Sequence, residues 1–384
     1  MPGHSAAFTR TFGVTMQSPK GMEILKKLMN EICTLFDTPY IHIGTDEVRF
    51  SNEAFVPQMV NFLRKKGKKI ISWNPGWQYK KGEIDKLHLW SYRGKTQKGI
   101  PSIDSRYHYL NHFDTFGDII ALYNSKIGNT STSTPENEGA ILAVWNDRKL
   151  KDEKQIMLQN NFYPNMLALA DRAWQGGGTE YFDKEGTILR SRSSKNYIDF
   201  ADFERRMLWY KRTIFKGEPF AYTKQTHIEW NITDAFPNNG NLKMQFSPEQ
   251  QLDTTYTYQN KTYKTHPAYG ASVYLRHTWG SLVPGFYKNP QENHTAYAYT
   301  WVYADKAQEA GLWVEFQNYS RSEKDLPPLQ GTWDYRGSKI WLNDEEIQPP
   351  IWQNAHNEKS NEIILQNENL AARKPISVHL KKGW

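Results

Sequence analysis

Residues 41–47 read Ile-His-Ile-Gly-Thr-Asp-Glu, an apolar run that closes on two adjacent acids. Adjacent side chains on a strand point to opposite faces. Asp46 and Glu47 therefore line one small pocket only if the strand ends there and the backbone turns. A strand that opens onto paired carboxylates suits bond cleavage at a sugar anomeric centre, where one group donates a proton and another stabilises positive charge. By themselves the two acids fit equally well as a helix N-cap with a first-turn acid.

The chain around this stretch alternates helical and strand patterns as far as residue 215. Helix 21–36 leads into strand 40–44, and helix 53–66 leads into strand 69–73. LHLW at 87–90, IPSIDS at 100–105 and AILAVW at 140–145 read as further extended segments, with helical stretches at 118–123, 163–174 and 199–214. Alternating β and α with apolar strands implies a parallel sheet with helices outside it. Beyond about residue 222 helical spacing gives way to short alternating runs: SVYLRHTW (272–279), AYAYTWVYA (296–304), GLWVEFQNYS (311–320), SKIWLN (338–343) and ISVHL (376–380). These predict an antiparallel β-sandwich. The expected domains are 1–217 and 222–384.

With 384 residues the chain is long enough for two substantial cores. Its 14 Trp, 22 Tyr and 18 Phe compensate for a hydrophobic fraction of 38%, and flat rings also cover the apolar face of a sugar. The net charge of +7 raises the question of an acidic partner. However, the one dense basic run, Arg64 to Lys69, falls between a helix end and a strand start, where it complements the helix C-terminus and keeps the loop wet; no nucleic-acid partner is expected. Cys33 is the only cysteine, which excludes an intrachain disulfide and a cysteine metal cluster, and its helical position suits a small core residue. His42 with Asp46 makes a poor metal site, because no further His or Cys cluster lies at ligand spacing. No apolar run reaches the length of a membrane span, and MPGHSAAF has neither the basic nor the apolar region of a signal peptide.

In a β/α barrel the active site gathers at the C-terminal ends of the strands. The strand ends here carry His4, Asp46-Glu47, Trp73, Trp90, Tyr109, and Trp145 with Asp147, an aromatic set around a charged centre. MPGHSAA, HIGTDEV, IISWNPGW, LHLW, YLN, AVWND and FYPNMLALADRAW together resemble family 20 glycoside hydrolases, the β-N-acetylhexosaminidases, over roughly residues 1–215. The resemblance implies a (β/α)8 TIM barrel, here partial (strands 3/4 to 8), and substrate-assisted retaining hydrolysis of terminal β-linked N-acetylhexosamine without a cofactor. On that basis Glu47 is the general acid and base, and Asp46 accepts the acetamido N–H. Tyr109 donates to the acetamido oxygen, while Trp73, Trp90 and Trp145 enclose the methyl group and the sugar face. Asp147, where the family usually has Glu, would bind ring hydroxyls. His4 and His42 are supporting candidates, with a structural hydrogen bond equally open for His42. Asn111 stands where the family usually has Asp, which removes a charge and bears on gluco against galacto preference. Asn165 replaces a common Arg and is expected to serve structure.

Counted by strand ends, His4 follows the third strand and Asp46-Glu47 the fourth, so strands one and two are expected to lie outside this sequence. With them would go a first-strand Arg and an acid before PGH. An open half-barrel would leave parallel edges unpaired. The expectation is a fragment, with Met1 an internal methionine and the C-terminus also cut, and any signal peptide lying upstream; the family is often periplasmic or secreted. GTWDYRGSKIWLNDEEI resembles galactose-binding-like modules, although Asn343-Asp344 reads more simply as a hairpin turn and Trp341 and Asp344 as weak sugar contacts. The alternatives are a lacto-N-biosidase-like enzyme releasing a disaccharide, and a carbohydrate-binding protein without turnover.

Overall fold

Ser18 opens the first helix, α1 (Pro19–Leu35): its hydroxyl accepts the Gly21 N–H at 3.0 Å and Pro19 takes the first helical turn. The structure, a computed structural model, describes residues 16–110, 118–144, 152–179, 186–271, 273–275, 285–302, 306–312, 331–334, 336–343, 345–349 and 376–380. The chain divides into two units, one of residues 1–108, 126–143 and 173–178, the other of residues 109–125, 144–172 and 179–384.

In the first unit α1 is followed by β1 (Tyr40–His42), α2 (Phe55–Lys65), β2 (Lys69–Asn74), β3 (Lys86–Leu89), β4 (Ser102–Asp104) and β5 (Asn137–Ala140). The five strands form one sheet in the order β1-β2-β3-β4-β5, parallel throughout. The register aligns His42 with Ile71, Trp73 with His88, and Ile41 with Ile70. Aligned residues in a parallel pair share a face. Ile41, Ile70, Leu87 and Leu89 form one core with Met22 of α1 and Val56, Met59, Val60 and Leu63 of α2. Tyr40, His42, Trp73 and His88 alternate onto the other face. Cys33 is half-buried against the core, as its helical position predicts. The basic run behaves as a wet connection: α2 stops before Gly67 (φ 76°), Arg64 donates to the Gly82 carbonyl at 3.0 Å, and Lys68 donates to the Thr38 carbonyl at 2.6 Å.

In the first unit the expected strand at AILAVW differs from the one observed. Of AILAVW only Ala140 lies in a strand, Asn137–Ala140; 141–144 are not assigned to it, Ile141 is 43% exposed, and Trp145 lies outside the described residues. Gly139 at φ 112° and a register shift against β4 make the pairing irregular, although the Ile141 and Ala143 amides still donate to the Asp104 and His108 carbonyls at 3.0 and 2.7 Å.

The second unit holds α3 (Asp118–Asn124), α4 (Glu153–Gln159), α5 (Phe162–Gln175, to Arg172) and α6 (Lys195–Arg212). It also contains β6 (Glu229–Thr233), β7 (Phe236–Pro237), β8 (Thr255–Tyr258), β9 (Lys261–Tyr269), β10 (His294–Thr295) and β11 (Ala298–Tyr299). Strands β11-β6-β9-β8 make a four-stranded sheet whose pairs are antiparallel. Three of these strands fall in stretches not read as extended from the sequence. The missed signal is the alternation TYTY before Gln259-Asn260, both at positive φ (48° and 58°), which is the two-residue turn of a tight hairpin. Phe236, Phe246, Tyr256 and Tyr263 form an aromatic core, with Phe236 and Tyr263 stacked at 4.3 Å. Further on, Ile340–Leu342 pairs with Glu345–Ile347 across Asn343 (φ 49°), the expected hairpin turn; Asp344 lies outside the described residues. Among the described residues no helix is long and apolar enough to cross a membrane.

Candidate active site

The acids at 46 and 47 do not cap a helix, since α2 begins only at Phe55. The β1 strand ends at His42 and the backbone turns through three left-handed residues, Gly44 (φ 75°), Thr45 (φ 87°) and Glu47 (φ 49°). A β-branched residue at positive φ is an outlier, and such positions cost about 1–3 kcal/mol each unless their surroundings enforce them. Those surroundings are present. Gly44 O accepts the Trp73 N–H at 2.9 Å and the Ser72 hydroxyl at 2.7 Å. Buried Ser72 in turn accepts from the Tyr79 hydroxyl at 2.9 Å and lies 2.7 Å from Thr45 Oγ1. The Thr45 hydroxyl also accepts the Trp77 N–H at 3.2 Å. With its one proton on Gly44 O, Ser72 has two lone pairs for Tyr79 and Thr45, so each hydroxyl is satisfied. Burial raises the Tyr79 phenol, which keeps it a proton donor.

Over this hub Asp46 comes close to the Trp73 ring. A β-carbon placed on Gly44 would lie 3.8 Å from an Asp46 carboxylate oxygen and 4.0 Å from the Trp73 ring, so both converge on the glycine. Burial, with a smaller contribution from the Glu47 charge, raises the Asp46 carboxyl above its ordinary range. Trp73 packs against His42 at 4.4 Å and against His88 at 4.2 Å between ring centroids. Trp90 is fixed through its indole N–H, which donates to the Pro75 carbonyl at 2.8 Å. Gly76 admits no side chain: a β-carbon there would stand 2.6 Å from the Trp73 carbonyl oxygen and 2.8 Å from Thr45 Oγ1. Gly76→Ala must therefore shift backbone, and is expected to lower stability by about 1–3 kcal/mol in urea unfolding. A variant within about 0.5 kcal/mol of the parent would contradict this packing.

In the first unit the structure brings His42 and Asp46 to Trp73, with Glu47 next in the chain, while Trp90 is fixed on the Asn74–Pro75 backbone. Tyr109 belongs to the second unit and is half-buried there. His4, Asn111, Trp145 and Asp147 lie outside the described residues. Two groups escaped the sequence reading. His88, hidden between the leucines of LHLW, is buried beside Trp73 with Nε2 2.8 Å from Ser105 Oγ, and burial pushes its imidazole down to about 4. Asp104 and Arg106 form a buried pair at the end of β4: Arg106 Nε meets Oδ1 at 2.9 Å and Nη2 meets Oδ2 at 2.7 Å. The spacing Asp-Ser-Arg was the available signal for the pair. Among the described residues no group of three or more His, Cys, Asp or Glu could hold a metal ion.

An acidic pair on a strained turn beyond a parallel β-strand, with the Trp73 indole beside Asp46, defines an α/β protein with carboxylates at a strand end. Residues 3–71 match the sequence model described as "Glycosyl hydrolase family 20, catalytic domain". No curated protein matches the chain. Among solved structures, the chain is similar to a β-N-acetylhexosaminidase from Bacteroides fragilis at 20% identity, covering 58% of this chain and 52% of that one, with a TM-score of 0.41. A Flavobacterium johnsoniae chitobiase gives 19% identity, 53% and 34% coverage and a TM-score of 0.35. A Vibrio harveyi exo-β-N-acetylglucosaminidase, in complex with N-acetylglucosamine, gives 16%, 55% and 37%, and 0.36. The chain spans about half of the first of these proteins and about a third of the other two.

Proposed function

We propose that the protein is a glycosidase that removes terminal β-linked N-acetylhexosamine by substrate-assisted retention. The observation that carries this reading is the convergence of Asp46, adjacent to Glu47, and Trp73 over the left-handed Gly44 turn. In the proposed reaction the acetamido oxygen of the substrate attacks C1 as the glycosidic C–O bond breaks, and Glu47 gives its proton to the departing oxygen. Asp46 accepts the acetamido N–H and offsets the positive charge of the oxazolinium. Glu47, now a carboxylate, takes a proton from the water that opens the ring, which restores both groups. Trp73 and Trp90 offer apolar walls to the acetamido methyl and the sugar face. Tyr109, Trp145, Asp147, Asn111 and His4 are proposed as further substrate-handling residues, with residues 1–217 the C-terminal part of a TIM barrel and 222–384 a β-sandwich, galactose-binding-like accessory domain.

Aryl glycosides test the reading directly. The 2-acetamido glucoside is expected to be hydrolysed and the 2-hydroxy glucoside left intact, because only the former carries its own nucleophile. Equal rates on both would overturn it. Release of a disaccharide in preference to a monosaccharide would instead favour the biosidase alternative.

Asp46 supplies a second test through its raised pKa. Asp46 must be ionised to accept the N–H, so the acid limb of kcat/KM is expected above the ordinary Asp range of about 3.9. For stability the sign is opposite to that of a salt-bridged acid. A raised folded-state pKa stabilises the fold below the unfolded value, and that stability is lost as pH rises through the folded value. At pH 7 the ionised carboxylate therefore opposes folding. Asp46→Asn is expected to melt higher than the parent at pH 7 while losing about 10²-fold or more in kcat, with the difference in melting closing toward pH 3. A variant that melts lower at pH 7 would contradict this account.

A further inference from the structure

The Gly44 N–H is the first amide beyond the β1–β2 ladder, whose last bond runs from Ile43 N to Ile71 O at 2.9 Å. A backbone N–H leaving a strand needs a new acceptor. It finds one two residues back, donating to His42 Nδ1 at 3.1 Å. A side-chain acceptor at position i bonded to the N–H of i+2 is the geometry of an Asx turn, which Asn and Asp normally supply.

We propose that His42 is a positioning residue whose Nδ1 stands in for an Asx oxygen, holding the left-handed Gly44–Thr45 turn that aims Asp46 and Glu47. The inference rests on the reading of those acids given above and assigns His42 a role by which that reaction depends on a turn. The ring is oriented from outside the turn by Trp73 at 4.4 Å and His88 at 5.5 Å. Accepting an N–H fixes the tautomer: Nδ1 must be bare, so a neutral ring carries its proton on Nε2. Partial burial lowers the imidazole below its ordinary range, which keeps that neutral form at working pH, although solvent at the ring's exposed edge limits the shift. The two flanking bonds of the turn, from Trp73 N and Ser72 Oγ to Gly44 O, secure the carbonyl side. Among the described residues it is His42 that secures the amide side.

The test compares His42→Asn with His42→Leu. Both lose the ring and its packing, but only Asn retains an acceptor at the correct separation for an Asx turn. With an aryl 2-acetamido glucoside, the Asn variant is expected to keep a kcat at least about tenfold above that of the Leu variant, at similar KM and similar melting temperature. One lost hydrogen bond to a strained turn has that size. Equal kcat in the two variants would reduce His42 to a packing residue and overturn the proposal. Exchange of the Gly44 amide, read by NMR, separates this from failure of the catalytic reading. Gly44 is expected to be protected in the parent and the Asn variant and at least tenfold less protected in the Leu variant, whether or not any of them hydrolyses the glycoside. Inactivity of the parent together with that exchange pattern would overturn the catalytic reading and, with it, only the aiming half of this one; uniform exchange would overturn the turn itself. If the Leu variant does not fold, ¹⁵N shifts of the parent ring decide. A bare Nδ1 supports the proposal, and an Nδ1–H tautomer overturns it.

Discussion

Glu47→Gln is expected to abolish most hydrolysis of a 2-acetamido aryl glycoside. Positioned proton transfer contributes about 10²–10⁴-fold, or roughly 3–5 kcal/mol of barrier. The amide keeps the size of the acid and can still donate a hydrogen bond, but it cannot release a proton to the leaving oxygen. The deficit should depend on the leaving group: large for an alkyl glycoside, whose oxygen must be protonated, and much smaller for a dinitrophenyl glycoside, which departs as a stable phenolate. A group acting only in binding would lower both substrates alike and would appear in KM. The fold should be unaffected, because Glu47 is exposed, with its left-handed backbone held by the turn before it. Unchanged turnover on the alkyl substrate would remove Glu47 from the mechanism.

Asp104→Ala is expected to produce the largest loss of stability, about 3–5 kcal/mol in urea unfolding. Both members of the Asp104–Arg106 pair are buried, at 2% and 5% exposure, and Asp104 Oδ2 also accepts the Gly128 N–H at 2.7 Å. Alanine leaves a guanidinium largely uncompensated in the interior, with Asn129 Oδ1 at 2.9 Å as a remaining acceptor, and strips the Gly128 amide. That loss is a large part of the 5–15 kcal/mol typical of a domain. Burial by itself would raise the Asp104 carboxyl, yet Arg106 and the hydrogen bonds it makes hold it below the ordinary range. The linkage follows from that direction. The pair's stabilisation is present above the unfolded carboxylate pKa and is lost as pH falls through the lower folded value. The parent should therefore lose stability on acidification in a way that Asp104→Asn does not. A deficit under about 1 kcal/mol for Asp104→Ala would mean that water reaches Arg106.

The contrast between these two residues shows how legible the molecule is in its sequence. Glu47 was found because its neighbours are consecutive: an apolar run closing on two acids is a local pattern, and local patterns survive without coordinates. The same holds for α1, α2 and the parallel strands, whose apolar spacing and capping residues lie within a few positions of one another. His88 was passed over because its partners come from adjoining strands, and Asp104 because a polar Asp-Ser-Arg triplet does not show by itself that the pair is buried. His88 becomes a neighbour of Trp73 only through the β2–β3 register, and Ser105 reaches it from beyond the end of β4. The β8–β9 hairpin was missed although its turn is local, because polar Thr and Lys between the tyrosines weaken the apolar alternation on which strand reading depends.

The sequence by itself determined that the chain opens with alternating helices and parallel strands and that two acids follow the HIG run, in a segment that matches the family 20 model over residues 3–71. It left open whether those acids cap a helix or face a pocket, since both need only a chain reversal after a strand. Tertiary structure decided it. Gly44, Thr45 and Glu47 are held at positive φ by Ser72, Tyr79 and Trp77, residues about 30 positions away that meet the turn only once β1 and β2 pair. A left-handed threonine is unfavourable on local grounds and therefore invisible to local reasoning. It persists because long-range hydrogen bonds to Gly44 O and Thr45 Oγ1, with the His42 bond to Gly44 N–H, hold the turn.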